Sequence, residues 1–208
     1  MQALAALGRK AEAIRYAEAC RGPWTSDYQV DSLCEGILLS SGLVEEAYAR
    51  HGLRANRRST YLATFRAVLA KYPHKEPARV LADLVETTPG EEGKWFAAAK
   101  DAGLYEDALA LARKTPCDPA TLTRAARDHA LKEPAFAVEA GLLALHWLLR
   151  GHGYDLTSAD VVAAYRNTVH AAERNDTVAA TRQRIVRLLA GEVSDELVAR
   201  VLWRELGS

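Results

Sequence analysis

The sequence predicts an all-α fold built from antiparallel pairs of helices. Three segments, Gly8–Ile14, Gly42–Tyr48 and Gly103–Leu109, share one pattern: a glycine, then an acidic residue four positions later and an alanine five positions later. Helix-capping residues recur along the chain, whereas no segment alternates apolar and polar residues over the length of a strand. We therefore expect helices joined by short connections throughout.

The repeated pattern is typical of the turn of a helical hairpin. Its glycine suits the left-handed position that ends one helix, and its acidic residue lies in the positive first turn of the next. Its alanine allows a neighbouring helix to approach closely, although an alanine-rich helical protein can also produce the pattern by chance. Repetition of such hairpins builds a stack with a concave and a convex face. The residues predicted to form the hairpin turns are Gly8, Ala13, Gly42, Ala47, Gly103 and Ala108.

Capping residues predict where individual helices begin. Ser26, with Gln29 three residues later, is typical of a capping box that opens a helix ending near Ser40. Thr88 and Pro89 are predicted to be the N-cap and first residue of another helix. Five more starts are predicted, to give about a dozen helices in all. They lie at Asp118–Pro119, Glu133–Pro134, Ser158, Asp176 and Ser194.

Composition places the chain among ordinary globular proteins. Of its 208 residues, 49% are hydrophobic and 26% are charged, and 27 basic residues balance 27 acidic ones. The net charge therefore does not steer the chain towards nucleic acid or an anionic membrane. Its three cysteines lack metal-binding spacing and are expected to be free thiols. No membrane-spanning or leader segment is recognised, so we expect a cytoplasmic protein that does not associate with membranes.

The domain prediction is a single helical-repeat domain over residues 1–208. Residues 1–7 supply only a short piece of helix before Gly8, which leads us to expect the C-terminal part of a longer protein. Gly207–Ser208 is either native sequence or a cloning remnant. No pattern in the sequence indicates an oligomeric state.

Gly42–Tyr48, with Leu38 before it, resembles the inter-helix turn of tetratricopeptide repeats. Gly8 and Gly42 lie 34 residues apart, which is the period of that family. The chain, and the stretch from Thr88 to Pro119 in particular, also resembles uncharacterised bacterial helical-repeat proteins. The resemblance implies an irregular, tetratricopeptide-like, right-handed α-solenoid.

A basic segment, residues 47–75, is the strongest candidate for a binding surface. It carries Lys, Arg and interleaved aromatic residues and contains no carboxylate. Such a stripe suits phosphate contact with base stacking, and it equally suits an acidic peptide. The alternative is a solvated helix face that acids of neighbouring helices neutralise. The candidate partner-binding residues are Arg50, Arg54, Arg57, Arg58, Tyr61 and Arg66.

Three of these arginines precede a predicted helix start. Arg54, Arg57 and Arg58 lie just before a helix that Ser59 is predicted to cap. Cations are unfavourable beside a helix N-terminus, and a phosphate or carboxylate partner would relieve that repulsion.

No motif predicts catalysis, a metal site or a cofactor site. The chain lacks Gly-x-Ser-x-Gly, His-Glu-x-x-His and a phosphate-binding glycine loop, and His146 and His152 do not have the spacing of a helical metal pair. Four tryptophans are expected to anchor the core: Trp24, Trp95, Trp147 and Trp203.

The function predicted from the sequence is therefore a non-catalytic protein-interaction or scaffold module without cofactors. Its expected partner is a protein or peptide. The alternative is a nucleic-acid-associated module that uses residues 47–75.

Overall fold

The computed structural model describes residues 8–22, 25–191 and 195–207, and this part of the chain is all-α, as predicted. It contains no strand, and its one isolated bridge pairs Gly22 with Thr25. The chain divides into two compact units, Met1–Leu84 and Val85–Ser208. The stacking of hairpins into a solenoid and the single domain stay predictions.

Among the described residues, four helices lie wholly within the first unit, and a fifth begins there. The bounds are α1 Lys10–Ala19, α2 Asp27–Leu39, α3 Val44–Ala47, Tyr48–Gly52 (π) and Leu53–Ala55, α4 Tyr61–Lys71 and α5 Pro77–Glu86. Helix α3 is one continuous helix with a π-helical stretch in its middle. Helix α2 packs against α1 and along α3.

The second unit is organised around one apolar helix. A 3₁₀ turn, Glu92–Trp95, leads into the first helix of this unit. The helices are α6 Phe96–Asp101, α7 Tyr105–Lys114, α8 Pro119–His129, α9 Pro134–Leu149, α10 Ser158–Arg174, α11 Val178–Leu189 and α12 Glu196–Gly207. The apolar helix is α9, which packs against α7, α8, α10, α11 and α12 and buries side chains on all sides, as expected of a helix without a polar face.

The three predicted hairpin turns share one backbone geometry. Their glycines have φ of +78°, +74° and +74°, and the residues that follow have φ of −84°, −87° and −86°. The N–H of Leu43 donates to the carbonyl of Leu38, and that of Leu104 to Ala99, both at 3.0 Å. Each of these is the long-range backbone hydrogen bond of a Schellman motif, the motif that ends a helix at a left-handed residue. The three alanines are each 0% exposed, as close helix packing requires.

Two further turns of this kind were not predicted. Gly151 has φ +77° and Asp176 has φ +53°. After each, the next N–H donates to the carbonyl five residues earlier, at 3.0 and 2.9 Å. The prediction of Asp176 as an N-cap is therefore wrong, because Asp176 ends α10 and Thr177 is the N-cap of α11. Aspartate is one of the few side chains that tolerate this conformation.

Some predicted helix starts are confirmed. Ser26 is the N-cap of α2, although its side chain makes no capping hydrogen bond. Asp118 caps α8, and its carboxylate accepts from the N–H groups of Ala120 and Thr121. Glu133 and Pro134 occupy the N-cap and first position of α9. Ser194 lies outside the described residues.

Other predicted starts are wrong by one residue or more. Thr60, not Ser59, caps α4, because Thr60 is the extended residue whose hydroxyl accepts from the third N–H of the helix. Thr157, not Ser158, caps α10, in a complete capping box with Asp160. No helix begins at Thr88. Gly90, with φ +85°, turns the chain there, and the Thr88 hydroxyl instead accepts from the indole of Trp95 at 2.8 Å.

The predicted tryptophan anchors differ in burial. Trp95 and Trp147 are 2% and 6% exposed and lie in the core. Trp203 is 53% exposed, so its prediction as a core residue is wrong: it lies on the outer face of α12. Trp24 lies outside the described residues.

Replacing Ala108 by leucine is expected to destabilise the protein by about 1–3 kcal/mol, because extra methyl groups overpack a side chain position that is 0% exposed. Ala110 lies on the same helix but is exposed, so Ala110→Leu should change stability by no more than about 0.5 kcal/mol. Urea unfolding of both variants measures the difference. Equal midpoints for the two would show that Ala108 has no packing role.

Two glycines inside helices are expected to respond oppositely to alanine. A Cβ atom on Gly141 would lie 2.2 Å from the hydroxyl oxygen of Thr168, whereas one on Gly36 would meet nothing within 4 Å. Gly36→Ala should therefore stabilise the protein by about 0.5–1 kcal/mol. Gly141→Ala should destabilise it by about 1–3 kcal/mol. Thermal unfolding followed by circular dichroism tests both signs.

Candidate functional site

The six candidate residues of the basic segment do not share one environment. Arg50 donates to Glu46 and, at 2.7 Å, to Glu18 of α1. Arg54 donates through Nε to the carboxylate of Asp31 at 2.9 Å. Two of the predicted binding arginines are therefore paired with carboxylates of their own unit.

The remaining candidates lie in and after the loop that precedes α4. Arg57 and Arg58 are exposed, and a guanidinium nitrogen of Arg58 donates to the Arg57 carbonyl at 3.0 Å. Arg66 is exposed and Tyr61 is half-buried on α4. Thr60 is the N-cap of that helix, and Arg57 and Arg58 lie before it in the chain.

A buried carboxylate, Asp31 of α2, collects three donors. It is 0% exposed and accepts hydrogen bonds from Arg21, from Arg54 and, at 2.8 Å, from Nδ1 of His51. Burial alone would raise the pKa of Asp31, but hydrogen bonds from Arg54, Arg21 and His51 outweigh burial and hold it well below its usual range. Asp31 is therefore an ionised group at neutral pH.

One turn further along α2, Glu35 collects a second set. It is also 0% exposed, and it accepts from Asn56 at 2.6 Å, from the Tyr72 hydroxyl at 2.7 Å and from Lys71 at 2.7 Å. Burial, and then the hydrogen bond to Glu35, raise the pKa of Tyr72 far above its usual value. Tyr72 is thus a neutral donor. The buried network of Asp31 and Glu35 connects α2 with α3 and α4.

The π-helical stretch of α3 brings side chains into this network. Tyr48, His51 and Gly52 are all buried: His51 contacts Asp31 of α2, whereas Tyr48 packs against Tyr72. A Cβ atom at Gly52 would lie 3.0 Å from the Tyr72 ring, so glycine is what allows Tyr72 to reach Glu35. The Asn56 amide also donates to the Gly52 carbonyl at 2.8 Å. Such π-turns are often associated with functional sites.

The chemistry available in this network is limited. The buried carboxylates are occupied by donors from the same unit, which is the pattern of a structural ion cluster. Cys34 lies nearby on α2, and burial, followed by the charge of Glu18, raises its thiol pKa, which disfavours a nucleophilic thiolate. In the second unit, burial raises the pKa of Cys117 to about 12. Nε2 of His51 is buried without a hydrogen-bond partner among the described residues and lies 3.6 Å from Glu18.

A second candidate site is a cavity of about 440 Å³ in the second unit, formed by α7, α9 and α11. Leucines form its apolar part, and charged residues surround them. We call it the arginine pocket, and its lining residues are Arg113, Glu139, Leu142, Leu143, His146, Arg184, Arg187 and Leu188.

Charges in the arginine pocket are not balanced. Glu139 accepts from Arg113 at 3.0 Å and from both terminal nitrogens of Arg184, one of them at 2.9 Å. Hydrogen bonding by Arg184 is the main reason that the pKa of Glu139 is lowered. The side chain of Arg187 is exposed and makes no hydrogen bond or ion pair with any described residue. Burial, and then the charge of Arg150, lower the pKa of His146, which favours its neutral form.

No sequence signal pointed to the arginine pocket. Its polar residues come from three helices, and the ion pairs of Glu139 span 26 and 45 residues. The only local sign is the arginine-rich α11, and an exposed helix face explains that pattern equally well. Pairing at such separations depends on which helix faces meet.

Removing the Asp31 carboxylate is expected to destabilise the protein by about 3 kcal/mol, because it leaves the His51 and arginine donors without their buried acceptor. Asp27 provides a matched control, since it also pairs with Arg21 at 3.0 Å but its side chain is 75% exposed. Asp27→Ala should cost no more than about 0.5 kcal/mol. Denaturant titration of Asp31→Ala and Asp27→Ala compares them, and equal losses would contradict a structural role for the buried network.

The contribution of Asp31 should also depend on pH in a defined direction. Its pKa is lowered in the folded state, so the stabilisation is complete above the unfolded-state pKa of about 3.9 and is lost as pH falls through the folded-state value. The stability difference between the parent protein and Asp31→Asn should stay constant between about pH 5 and about pH 7 and shrink below about pH 4. Urea titrations across this range measure it. A difference that grows on acidification would contradict the lowered pKa.

Within residues 8–22, 25–191 and 195–207, no group of three or more His, Cys, Asp or Glu side chains is placed to hold a metal ion. None of the helices in that part of the chain has the length and apolar character needed to cross a bilayer. No protein-family model, curated protein or solved structure matches the chain.

Proposed function

We propose that this chain is a non-catalytic protein-interaction or scaffold module of cytoplasmic, bacterial type. It is built from tetratricopeptide-like hairpins stacked in a right-handed α-solenoid. The observation that carries the proposal is the hairpin turn, which recurs with one backbone geometry at Gly8, Gly42 and Gly103. Proteins made of repeated helical hairpins present extended surfaces suited to partner binding.

The charges of the first unit support a structural use of its buried groups. Asp31 and Glu35 each accept hydrogen bonds from donors of the same unit, and the Arg50 and Arg54 guanidinium groups donate to carboxylates of that unit. Such groups stabilise the packing of α2 against α3 and are poorly placed to act on a substrate. The raised pKa of Cys34 agrees with this view.

The arginine pocket supports partner binding in the second unit. It combines an aliphatic floor with cationic groups that the described residues leave partly unused. Its volume of about 440 Å³ is that of an ordinary ligand pocket, and it is suited to one or two side chains of a partner.

Nucleic-acid association is the second candidate function, and one observation favours it. Arg57 and Arg58 are adjacent, exposed and free of carboxylate partners among the described residues. Arg50, Arg54 and Lys71 are already paired with acids, which leaves a much smaller positive surface than the basic segment of the sequence suggested.

The test is a peptide-display selection on the purified protein, run beside titrations with labelled single-stranded DNA and RNA over a salt series. We expect a convergent family of peptides and no nucleic-acid binding at about 0.15 M salt, because two unpaired arginines release few counterions. Peptides without a consensus, together with nucleic-acid binding that weakens steeply with salt, would contradict the proposal.

A double variant separates the two candidates. Arg57→Ala with Arg58→Ala removes the exposed pair, and Arg174→Ala with Arg182→Ala removes the same charge from other exposed positions. Under the protein-interaction proposal, both variants bind the selected peptides as the parent does. Loss of nucleic-acid binding confined to the first variant would favour the second candidate.

A further inference from the structure

We infer that the arginine pocket binds an acidic peptide segment in which carboxylates flank an aliphatic side chain. This inference rests on the proposed function and names its partner. The feature that carries it is an uncompensated positive charge beside an apolar floor, within one cavity of α7, α9 and α11.

The charge of the pocket calls for an anion. Among the described residues, three guanidinium groups line the cavity, those of Arg113, Arg184 and Arg187, together with one carboxylate, that of Glu139. His146 adds no compensating negative charge, and the lowered pKa favours its neutral form. The lining therefore has an excess of two positive charges, which two ligand carboxylates would neutralise.

Unused hydrogen-bond donors give this charge a geometry. Arg113 uses one terminal nitrogen for Glu139, and Arg184 uses its two terminal nitrogens, so each retains N–H groups. Arg187 retains all of its donors with respect to the described residues. A guanidinium presents five N–H donors in a planar fork that matches a carboxylate.

Glu139 already demonstrates how a carboxylate fits among these arginines. It is half-buried between α7 and α11 and is held by Arg113 and Arg184 in a fixed orientation. Its presence orients both guanidinium planes before a ligand arrives, which lowers the entropy cost of binding. A ligand carboxylate would lie on the remaining donors and on Arg187.

The floor of the pocket determines the rest of the ligand. Leu142 is buried, and Leu143 and Leu188 are half-buried beside it, so the floor is aliphatic. Covering this surface favours a leucine-like side chain. Among the described residues, no aromatic side chain other than the His146 ring lines the cavity, so a nucleotide base would find little to stack on. An acidic peptide therefore suits the site better than nucleic acid does.

The experiment is a fluorescence-polarisation titration of the whole chain with three labelled peptides. One contains Glu-Leu-Glu between Gly-Ser flanks, one contains Gln-Leu-Gln, and one contains Glu-Ser-Glu. We expect the first to bind most tightly and both replacements to weaken binding by about tenfold, since each removes charge-assisted hydrogen bonds or apolar contact. Equal binding of all three peptides would overturn the inference.

A pair of variants locates the binding. Arg187→Gln should weaken binding of the Glu-Leu-Glu peptide by about tenfold. Arg182→Gln is the matched control, because Arg182 lies on the same helix but does not line the pocket. The affinity of this variant for the Glu-Leu-Glu peptide should stay within about twofold of the parent value. Both side chains are exposed, so circular dichroism should show unchanged folding. Equal effects of the two variants would overturn the site assignment.

Competition separates the remaining outcomes. Unlabelled pyrophosphate or oligo-deoxythymidine that displaces the peptide at lower concentration than unlabelled Glu-Leu-Glu peptide would overturn the inference in favour of a phosphate ligand. If the display selection yields peptides that bind independently of Arg187, this inference fails while the proposed function stands. If neither the selected nor the designed peptides bind, both fail.

Discussion

At Gly42 and at Gly103, a glycine in the left-handed conformation ends one helix, and the packing of the following helix depends on it. Gly42 and Gly103 adopt φ of +74°, which directs the next N–H back to a carbonyl of the finished helix and turns the chain. The alanine five residues later, Ala47 or Ala108, is 0% exposed and packs against neighbouring side chains. A bulky residue at either position would strain the backbone or separate the helices. One local backbone constraint thus sets the spacing at which helices pack.

The two units use buried and half-buried carboxylates in different ways. In the first unit, Asp31 and Glu35 are fully buried and accept hydrogen bonds from donors of neighbouring elements. These hydrogen bonds hold α2 against α3 and α4. In the second, Glu139 is half-buried and its two arginine partners retain unused donors, with Arg187 beside them. A buried charged group whose hydrogen-bond partners all come from the same unit links the elements that supply them. An excess of positive charge beside an apolar surface instead favours a ligand with negative charge. That contrast is why the arginine pocket, rather than the buried network of the first unit, is the stronger candidate for binding.

The basic segment illustrates how charge in a sequence differs from charge on a surface. Residues 47–75 contain no acid, yet Arg50, Arg54 and Lys71 each meet a carboxylate that comes from an earlier part of the chain. The positive charge that remains available at this segment is centred on Arg57 and Arg58, just before α4. Long-range pairing reduced a strong sequence pattern to a small exposed patch, which offers few cations for phosphate contacts.

Local patterns in the sequence determined the all-α class, the glycine turns and the buried alanines, because a turn depends on the φ of one residue and on hydrogen bonds within a few positions of it. The predicted N-cap of α4, Ser59, lies one residue before the observed N-cap, Thr60, since both residue types are good caps and only the backbone distinguishes them. Tertiary structure alone decided the rest. Gly36 and Gly141 look alike in the sequence, but only Gly141 meets Thr168 from another helix. The arginine pocket likewise joins Arg113, Glu139 and Arg187, which no local rule relates, because contact between distant residues depends on which faces of their helices pack together.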